Sequence, residues 1–543
     1  MSSTSKSAFS YFVITLIAVF FGVILGATYE QNRAINNNSA FPSFALSNNQ
    51  KIDKILKVIK TNYVDSVNTD SLQKLAIDDI LSGLDPHTVY LPPMQARAQN
   101  ENLEGNFDGI GIEYYVLNDT LLVTAVRKKG PSEKAGLLRG DKIIAVNNES
   151  IVIKGDTDKV VNKLRGKKGS RLRVSVLREG FSKPIFFDIE RGRIVVSSID
   201  VAFMVEPEIG FMKITRFGAN TADDFITELT ALQKRGMKSL ILDLRENGGG
   251  YLSAATALAD QFLGDDQLIV YTQGLHEPRT DYKATADGLF ENGKLVILID
   301  EGTASASEIL AGAIQDLDRG TVIGRRSFGK GLVQEQFGFS DGSAMNLTIA
   351  RYYTPIGRSI QKPYNNGVKA YKNEISYRYQ HGDFTSLDSA LTDSTFSYQS
   401  KKYITLKGRT VYAGGGIMPD IFVAMDTSKF TDTYQQMNAK GLIAAFVYDK
   451  LTNSVKVSGF KNVGEFNRNY QFNNADYNGF LNYCVTKEVK VDKAQAIQSK
   501  PLIVNQIKAM LARYYFGEEG FYSTVSQSDL FIKAALNKLK NPA

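Results

Sequence analysis

Residues 295–317 read LVILIDEGTASASEILAGAIQDL. The apolar run at its start has the pattern of a buried strand, and a short turn containing Gly302 follows. Ile309, Leu310, Ala313, Ile314 and Leu317 then recur at helical spacing. Ser305 falls where strand hands over to helix. A side chain there lies beside the orphan N–H groups and positive dipole end of the helix, which together can stabilise a developing oxyanion. For an isolated serine at such a place, capping the helix is the ordinary explanation, so this stretch alone does not decide for catalysis.

The stretch that tips the balance lies downstream, at residues 324–334, GRRSFGKGLVQ, with Lys330 held between Gly329 and Gly331. The G-x-x-x-x-G-K spacing also begins a phosphate-binding loop, whose lysine is followed by Ser or Thr and then by a helix. Here Gly331 follows, and LVQEQFGF, the turn SDG and SAMNLTIARYY make the pattern of a β-hairpin. Both requirements of the nucleotide motif fail. A lysine can instead deprotonate a serine once burial lowers its pKa from about 10.4 toward neutrality. The ordinary state of a lysine on a glycine turn is solvated, yet the chain is poor in alternatives. His87, His276 and His381 are its three histidines, and none stands in the context of a triad partner. A Ser-Lys dyad is chemically the easier arrangement.

The run GTASASEILAGAIQD followed by SFGKGLVQ resembles the C-terminal processing peptidases, or tail-specific proteases. The resemblance implies Ser305 as nucleophile, Lys330 as general base and Gln334 as the residue that orients the lysine. It extends to SLILDLRENGGGYL, similar to the family's DLRxNPGG loop, with Gly248 in place of the usual proline. From that loop either Gly249 or Gly250 is expected to supply one oxyanion-hole donor, and the backbone N–H of Ala306 the other. The resemblance covers most of residues 50–425 and implies a serine endopeptidase without cofactor or metal.

The rest of the chain fits several domains. It has 543 residues, 43% of them hydrophobic, and a net charge of 64 − 57 = +7, with no dense basic run to argue for nucleic acid. Residues 8–27, AFSYFVITLIAVFFGVILGA, are uncharged and long enough to span a bilayer, and residues 1–30 read as a signal or anchor, with a retained anchor favoured. The bulk is then expected on the periplasmic side of the inner membrane, in the cell envelope. The single cysteine, Cys484, allows no intramolecular disulfide. The polar, Asn-rich residues 31–50 read as a tether. Residues 51–102 carry helical spacings, Ile52, Ile55, Leu56 and Ile59, then Leu72, Leu75, Ile80 and Leu81, and end at LDPHTVYLPP, where His87 is expected to be structural.

Residues 103–194 read as short strands and turns and resemble a PDZ domain, above all in GPSEKAGLLRGDKI. The resemblance assigns Gly109, Ile110, Gly111 and Ile112 to the loop that binds a peptide's terminal carboxylate through consecutive N–H groups. Residues 195–425 alternate strand and helix, the pattern of an α/β core, with Thr221 expected to cap its first helix. Asp243 and Arg245 read as a structural salt bridge, and Ser307 as a rival nucleophile that points away from Ser305. About 50 residues separate RYYTPIGRSIQK from GGGIMPDI, an insertion over residues 363–413 relative to the shorter bacterial pattern, to which no function is assigned. Residues 426–543 are expected to be helical.

The sequence thus predicts an α/β protease core with an inserted β-rich PDZ domain and helical N- and C-terminal regions. Its partners would be protein or peptide substrates bound by the C-terminus, the membrane through the N-terminal segment, and a second copy or an adaptor. The alternative from another class is a catalytically silent PDZ scaffold.

Overall fold

The computed structural model describes residues 51–151, 157–392, 402–452 and 459–541, so the expected anchor, the tether and part of the 363–413 insertion lie outside the described residues. The described residues divide into two compact units, with the boundary between Asp79 and Ile80. In the first, α1 (Lys51–Asn62) follows the predicted period, yet it buries none of its residues, and Ile52 and Ile55 stay half exposed. The helix α2 (Thr69–Ser82) follows.

The second unit opens with β1 (Val89–Leu91) and α3 (Pro93–Glu104). The PDZ domain is entered by β2 (Asn106–Gly109) and left by β9 (Gly192–Val195), which pair antiparallel and so bring its two connections together. Between them β3 (Ile112–Leu117), β4 (Thr120–Val126), β5 (Lys142–Val146), β7 (Arg171–Leu177) and β8 (Ile185–Glu190) form a sheet in that order, with β6 (Glu149–Ser150) beside β5. The short α4 (Pro131–Ala135) and α5 (Thr157–Leu164) complete the domain. In RLRVSVL the residues Leu172, Val174 and Val176 are buried while Arg171 and Arg173 are exposed, the period of two that turns one sheet face inward. Strand β3 lies at the sheet edge, which leaves one side unpaired within the sheet.

The core sheet runs β10 (Ile199–Glu206), β11 (Ile209–Ile214), β12 (Ser239–Asp243), β15 (Lys294–Ile299), β16 (Thr321–Gly324) and β21 (Ile421–Phe422), parallel after the first hairpin. Helices α6 (Thr221–Lys234), α7 (Leu252–Asp260) and α8 (Ala306–Asp316) share a hydrophobic cluster with Leu240, Leu242, Ile297 and Ile299. The alternate residues Ile241, Val296, Leu298 and Ile323 belong to a second cluster on the other face. Burial on both faces explains why LILDL and LVILI are nearly continuous apolar runs. Thr221 is the first residue of α6 rather than its cap. The N-cap is Asn220, and the Thr221 hydroxyl accepts the Gly218 N–H at 2.8 Å.

A second sheet joins β1, β18 (Ala344–Tyr353), β13 (Leu268–Gln273) and β14 (Thr280–Lys283), with β17 (Leu332–Gly338) antiparallel to β18. The hairpin predicted after Lys330 is this pair. The insertion carries α9 (Gly367–Gln380), α10 (Leu387–Thr392) and the hairpin β19 (Lys402–Ile404) and β20 (Thr410–Tyr412).

The C-terminal region, read as one helical stretch, divides. Helices α11 (Asp432–Ala439), α12 (Leu442–Phe446), α13 (Val463–Asn469), α14 (Asn474–Thr486) and α15 (Lys493–Val525, bent at Gly517) surround Met437, Val447, Phe466, Phe480, Ile503 and Leu511. Leu117 and Leu122 of the PDZ domain share this cluster, and the Tyr115 hydroxyl donates to the Gly441 carbonyl at 3.0 Å. The last helix, α16 (Leu530–Lys540), leaves the bundle and lays Phe531, Ile532, Ala535 and Leu539 on the second face of the core sheet. Among the described residues no helix is long and apolar enough to cross a membrane, and no His, Cys, Asp and Glu cluster could hold a metal ion.

Candidate active site

Strand β15 ends at Ile299, and the turn after it is tied to the loop after β12. The Asp300 carboxylate accepts the N–H groups of Glu246 at 2.9 Å and Gly302 at 3.0 Å, and the Thr303 hydroxyl donates to the Leu244 carbonyl at 2.9 Å. Ser305 stands at the N-cap position of α8 with φ 57° and ψ −117°, a strained conformation for a residue with a Cβ. Such strain persists only where neighbours over-determine it. Glu308, fully buried one turn into the helix, does so. One of its carboxylate oxygens accepts the Ser305 N–H and the Lys330 N–H, each at 2.8 Å. The other accepts the Gly329 N–H at 2.7 Å and the Ser327 hydroxyl. The Ser305 turn and the GKG turn are thus pinned by one side chain. Burial pushes the Glu308 pKa up from 4.5 to about 7 against the pull of those four donors.

Lys330 reaches the same cleft, of about 690 Å³, that Ser305 lines. Burial lowers its pKa from 10.5, opposed by the charges of Glu308 and Asp85. Among the described residues no carboxylate lies within ion-pairing distance of its ammonium. Tyr352 bridges the two turns from beneath, its hydroxyl facing the main-chain carbonyls of Ser305, at 3.1 Å, and of Lys330. Gln334 lines the cleft as well, but its amide donates to the Thr348 hydroxyl at 3.2 Å. The Thr348 N–H in turn donates to the Thr88 hydroxyl at 3.1 Å, so Gln334 ties β17 to the DPHT element.

Of the expected oxyanion donors, Gly249 sits so close that a Cβ on it would meet the Ser305 Cβ at 2.8 Å and the Ala306 nitrogen at 2.9 Å. Its own N–H donates to the Asn247 side chain at 2.9 Å and is therefore already engaged. The N–H groups of Gly250 and Ala306 have no acceptor among the described residues, and both residues line the cleft. Gly250 is held by Phe217, whose carbonyl accepts the Tyr251 N–H at 2.8 Å, and a Cβ there would overlap that carbonyl. Ser307 is fully buried and donates to the Asn247 carbonyl at 2.9 Å, which commits it to structure. Asp243 and Arg245 pair at 2.6 Å, and Arg245 also reaches Asp529 at 2.8 Å, so the glycine loop is braced against α16.

His87, expected to be structural, lines the cleft. Burial, with the Lys330 charge, lowers its pKa from 6.5 to about 4. His276 and His381 lie on the exposed surface, away from the cleft. In the PDZ domain Gly109 ends β2 and Ile112 begins β3. Between them the Ile110 carbonyl is held by the N–H and hydroxyl of Ser132 at 3.0 and 2.7 Å, and Gly111 has φ 73°. The Ile110 and Gly111 N–H groups have no acceptor among the described residues, which leaves a nest open for a carboxylate.

Glu308 is the residue that reading the sequence for reactive groups passed over. Its signal was present: Ser305 followed three residues later by glutamate is the capping-box spacing. Glu308→Gln turns an NH2 toward two of its four donors, each left unsatisfied at about 1–3 kcal/mol. We expect kcat/KM to fall by on the order of 100-fold or more in a folded protein, read by peptide cleavage beside circular dichroism. Unchanged kinetics would refute the pinning role.

Residues 208–370 match the model of peptidase family S41, residues 122–178 that of the PDZ domain, and residues 433–517 a family of unknown function, DUF8443. The chain is 35% identical to carboxy-terminal processing protease CtpB of Bacillus subtilis, over 58% of its own length and 65% of that protein's. It is also 35% identical to the carboxy-terminal-processing protease of Bartonella bacilliformis, over 56% of its own length and 71% of that protein's. Among solved structures, the photosystem II D1 C-terminal processing protease matches 58% of this chain and 91% of its own at 29% identity, with a TM-score of 0.33. An S41 core with a PDZ domain defines the class of serine-type peptidases in which a peptide-binding module accompanies the catalytic sheet. Within it, this chain belongs to the carboxy-terminal processing protease family.

Proposed function

We propose that the chain is an endopeptidase that captures envelope proteins by their C-terminal tails and cleaves an internal bond through an acyl-enzyme on Ser305. The observation that carries this reading is the single carboxylate of Glu308 holding the Ser305 turn and the Lys330 turn together at one cleft. As the Ser305 oxygen attacks the scissile carbonyl, the neutral Lys330 amine takes its proton and then gives it to the leaving nitrogen as the C–N bond breaks. Water activated by the same amine releases the acyl group. Gly250 and Ala306 supply the oxyanion donors, and Gln334 fixes the wall beside Lys330 through Thr348. The tail's carboxylate enters the Ile110-Gly111 nest while its backbone adds to the edge of β3. Residues 8–27 anchor the chain in the inner membrane with the catalytic part on the periplasmic side, and the helical ends serve assembly with a second copy or an adaptor.

The test is cleavage of an unstructured protein with an apolar C-terminus, supplied with a free and with an amidated terminus. Internal cleavage that weakens on amidation is expected. An inert chain would sink the proteolytic reading, and equal cleavage of both forms would sink tail recognition.

The pH dependence follows from Lys330. The base must be neutral, so kcat/KM should rise with pH along a limb centred below the ordinary lysine value of 10.5. A limb at or above that value would show that the base is not this buried amine. The linked stability has the same sign. Between the folded pKa and 10.5 the folded state binds fewer protons at Lys330 than the unfolded state, so this group's contribution to unfolding free energy rises with pH across that window.

A further inference from the structure

Helix α9, within the insertion left without a role, packs behind the turn that carries Lys330. Arg378 of α9 is buried and donates to the carbonyls of Arg326 at 2.8 Å and Ser327 at 3.2 Å, just ahead of the GKG turn. Lys362 pairs with Glu374 of the same helix at 2.9 Å, and its ammonium lies 3.7 Å from the centre of the Phe328 ring and 4.3 Å from that of Tyr371.

Within this packing runs a hydrogen-bond chain whose direction can be assigned. Gln361 accepts the Gly331 N–H at 2.8 Å, which fixes its amide oxygen. Its nitrogen donates to the Lys362 carbonyl at 2.8 Å and to the Tyr371 hydroxyl oxygen at 3.3 Å. Tyr371 is buried, so its own proton needs an acceptor, and among the described residues that acceptor is His87 Nε2 at 2.7 Å. A neutral imidazole accepting at Nε2 carries its proton on Nδ1. His87 Nδ1 has no partner among the described residues, and the ring lines the cleft.

We propose that this relay makes His87 a substrate-binding residue, fixed as the Nδ1–H tautomer to donate to a main-chain carbonyl of the polypeptide in the cleft, with Tyr371 and Gln361 as positioning residues. The proposal rests on the cleft being the proteolytic site. The surroundings favour the neutral ring: burial disfavours its charged form most, a proton on Lys330 and the Lys362 ammonium act in the same direction, and Asp85 opposes them. The same tautomer removes His87 as a rival base, because its Nε2 lone pair is taken and Nδ1 already bears a proton.

The test uses the full chain labelled with 15N in its three histidines, His87, His276 and His381. At neutral pH the His87 signals should show a protonated Nδ1 and a bare Nε2, and Tyr371→Phe, which removes one oxygen atom, should shift the ring toward the Nε2–H form. In the Ser305→Ala background the Tyr371→Phe change should weaken binding of an amidated peptide, which bypasses the carboxylate nest, by about 3- to 10-fold, the worth of one hydrogen bond. Neither readout needs turnover, so a chain that cleaves nothing fails the function above without touching this result. A parent His87 protonated at Nε2 overturns the relay. A tautomer change that leaves peptide affinity unmoved overturns the substrate contact.

Discussion

A chain ending at Asp529 fails to fold to a cooperative core. Helix α16 supplies Phe531, Ile532 and Leu539 to the face of the sheet that carries Ile241, Val296, Leu298 and Ile323. Each of those three large side chains is worth about 1.5–3 kcal/mol of burial, so about 5–9 kcal/mol is lost together. That is comparable with the whole stability of a typical domain, about 5–15 kcal/mol. The loss also strips Arg245 of the Phe531 ring, 4.6 Å away, so the loop that carries Gly249 and Gly250 loses part of its brace. We expect the truncated chain to show no sharp thermal transition and to bind a dye that reports exposed apolar surface. Phe531→Ala alone should cost about 3–5 kcal/mol in denaturant melts. A truncated chain that melts like the parent would show that α16 is an accessory.

Ser305→Ala and Lys330→Ala each remove on the order of 10⁴- to 10⁶-fold of the cleavage rate, and the double variant is no worse than the worse single one. In the proposed dyad the two side chains act as one unit, and knocking out either member of such a unit costs nearly as much as removing both. Neither change should unfold the protein. Ser305 is held through its main chain, by Glu308 and Tyr352, and Lys330 contributes an amine that burial already drives toward neutrality. The measurement is the rate of product formation at matched circular dichroism spectra. A Lys330→Ala variant cutting at the parental rate would mean that another group takes the proton.

Much of the fold was legible because its signals are local. The apolar runs of β12 and β15, the spacing of α8 and the hairpin after Lys330 declare themselves in their own residues. The turns that hold Ser305 and Lys330 were legible for the same reason, each being a short glycine-bearing stretch between regular elements. What the sequence could not display are the long-range bonds. His87 and Tyr371 stand 284 positions apart, and no pattern in LDPHT or in YKNEISYRYQ announces that one orients the other. Arg245 looked like half of a local pair with Asp243, while its second partner, Asp529, lies as far along the chain as Tyr371 does from His87. Helix α16 carried the plain amphipathic pattern of any helix, and periodicity states that a face is buried without stating against what.

The placement of α16 bears on when the molecule becomes complete as it is made. Synthesis runs from the N-terminus, and domains tend to fold as they emerge. The PDZ domain has all its strands by Val195, whereas the sheet behind Ser305 lacks one of its two covering layers until Leu539 has been added. A nascent chain can therefore hold a folded PDZ domain well before the core sheet is covered on both faces, because that second face waits for residues up to Leu539.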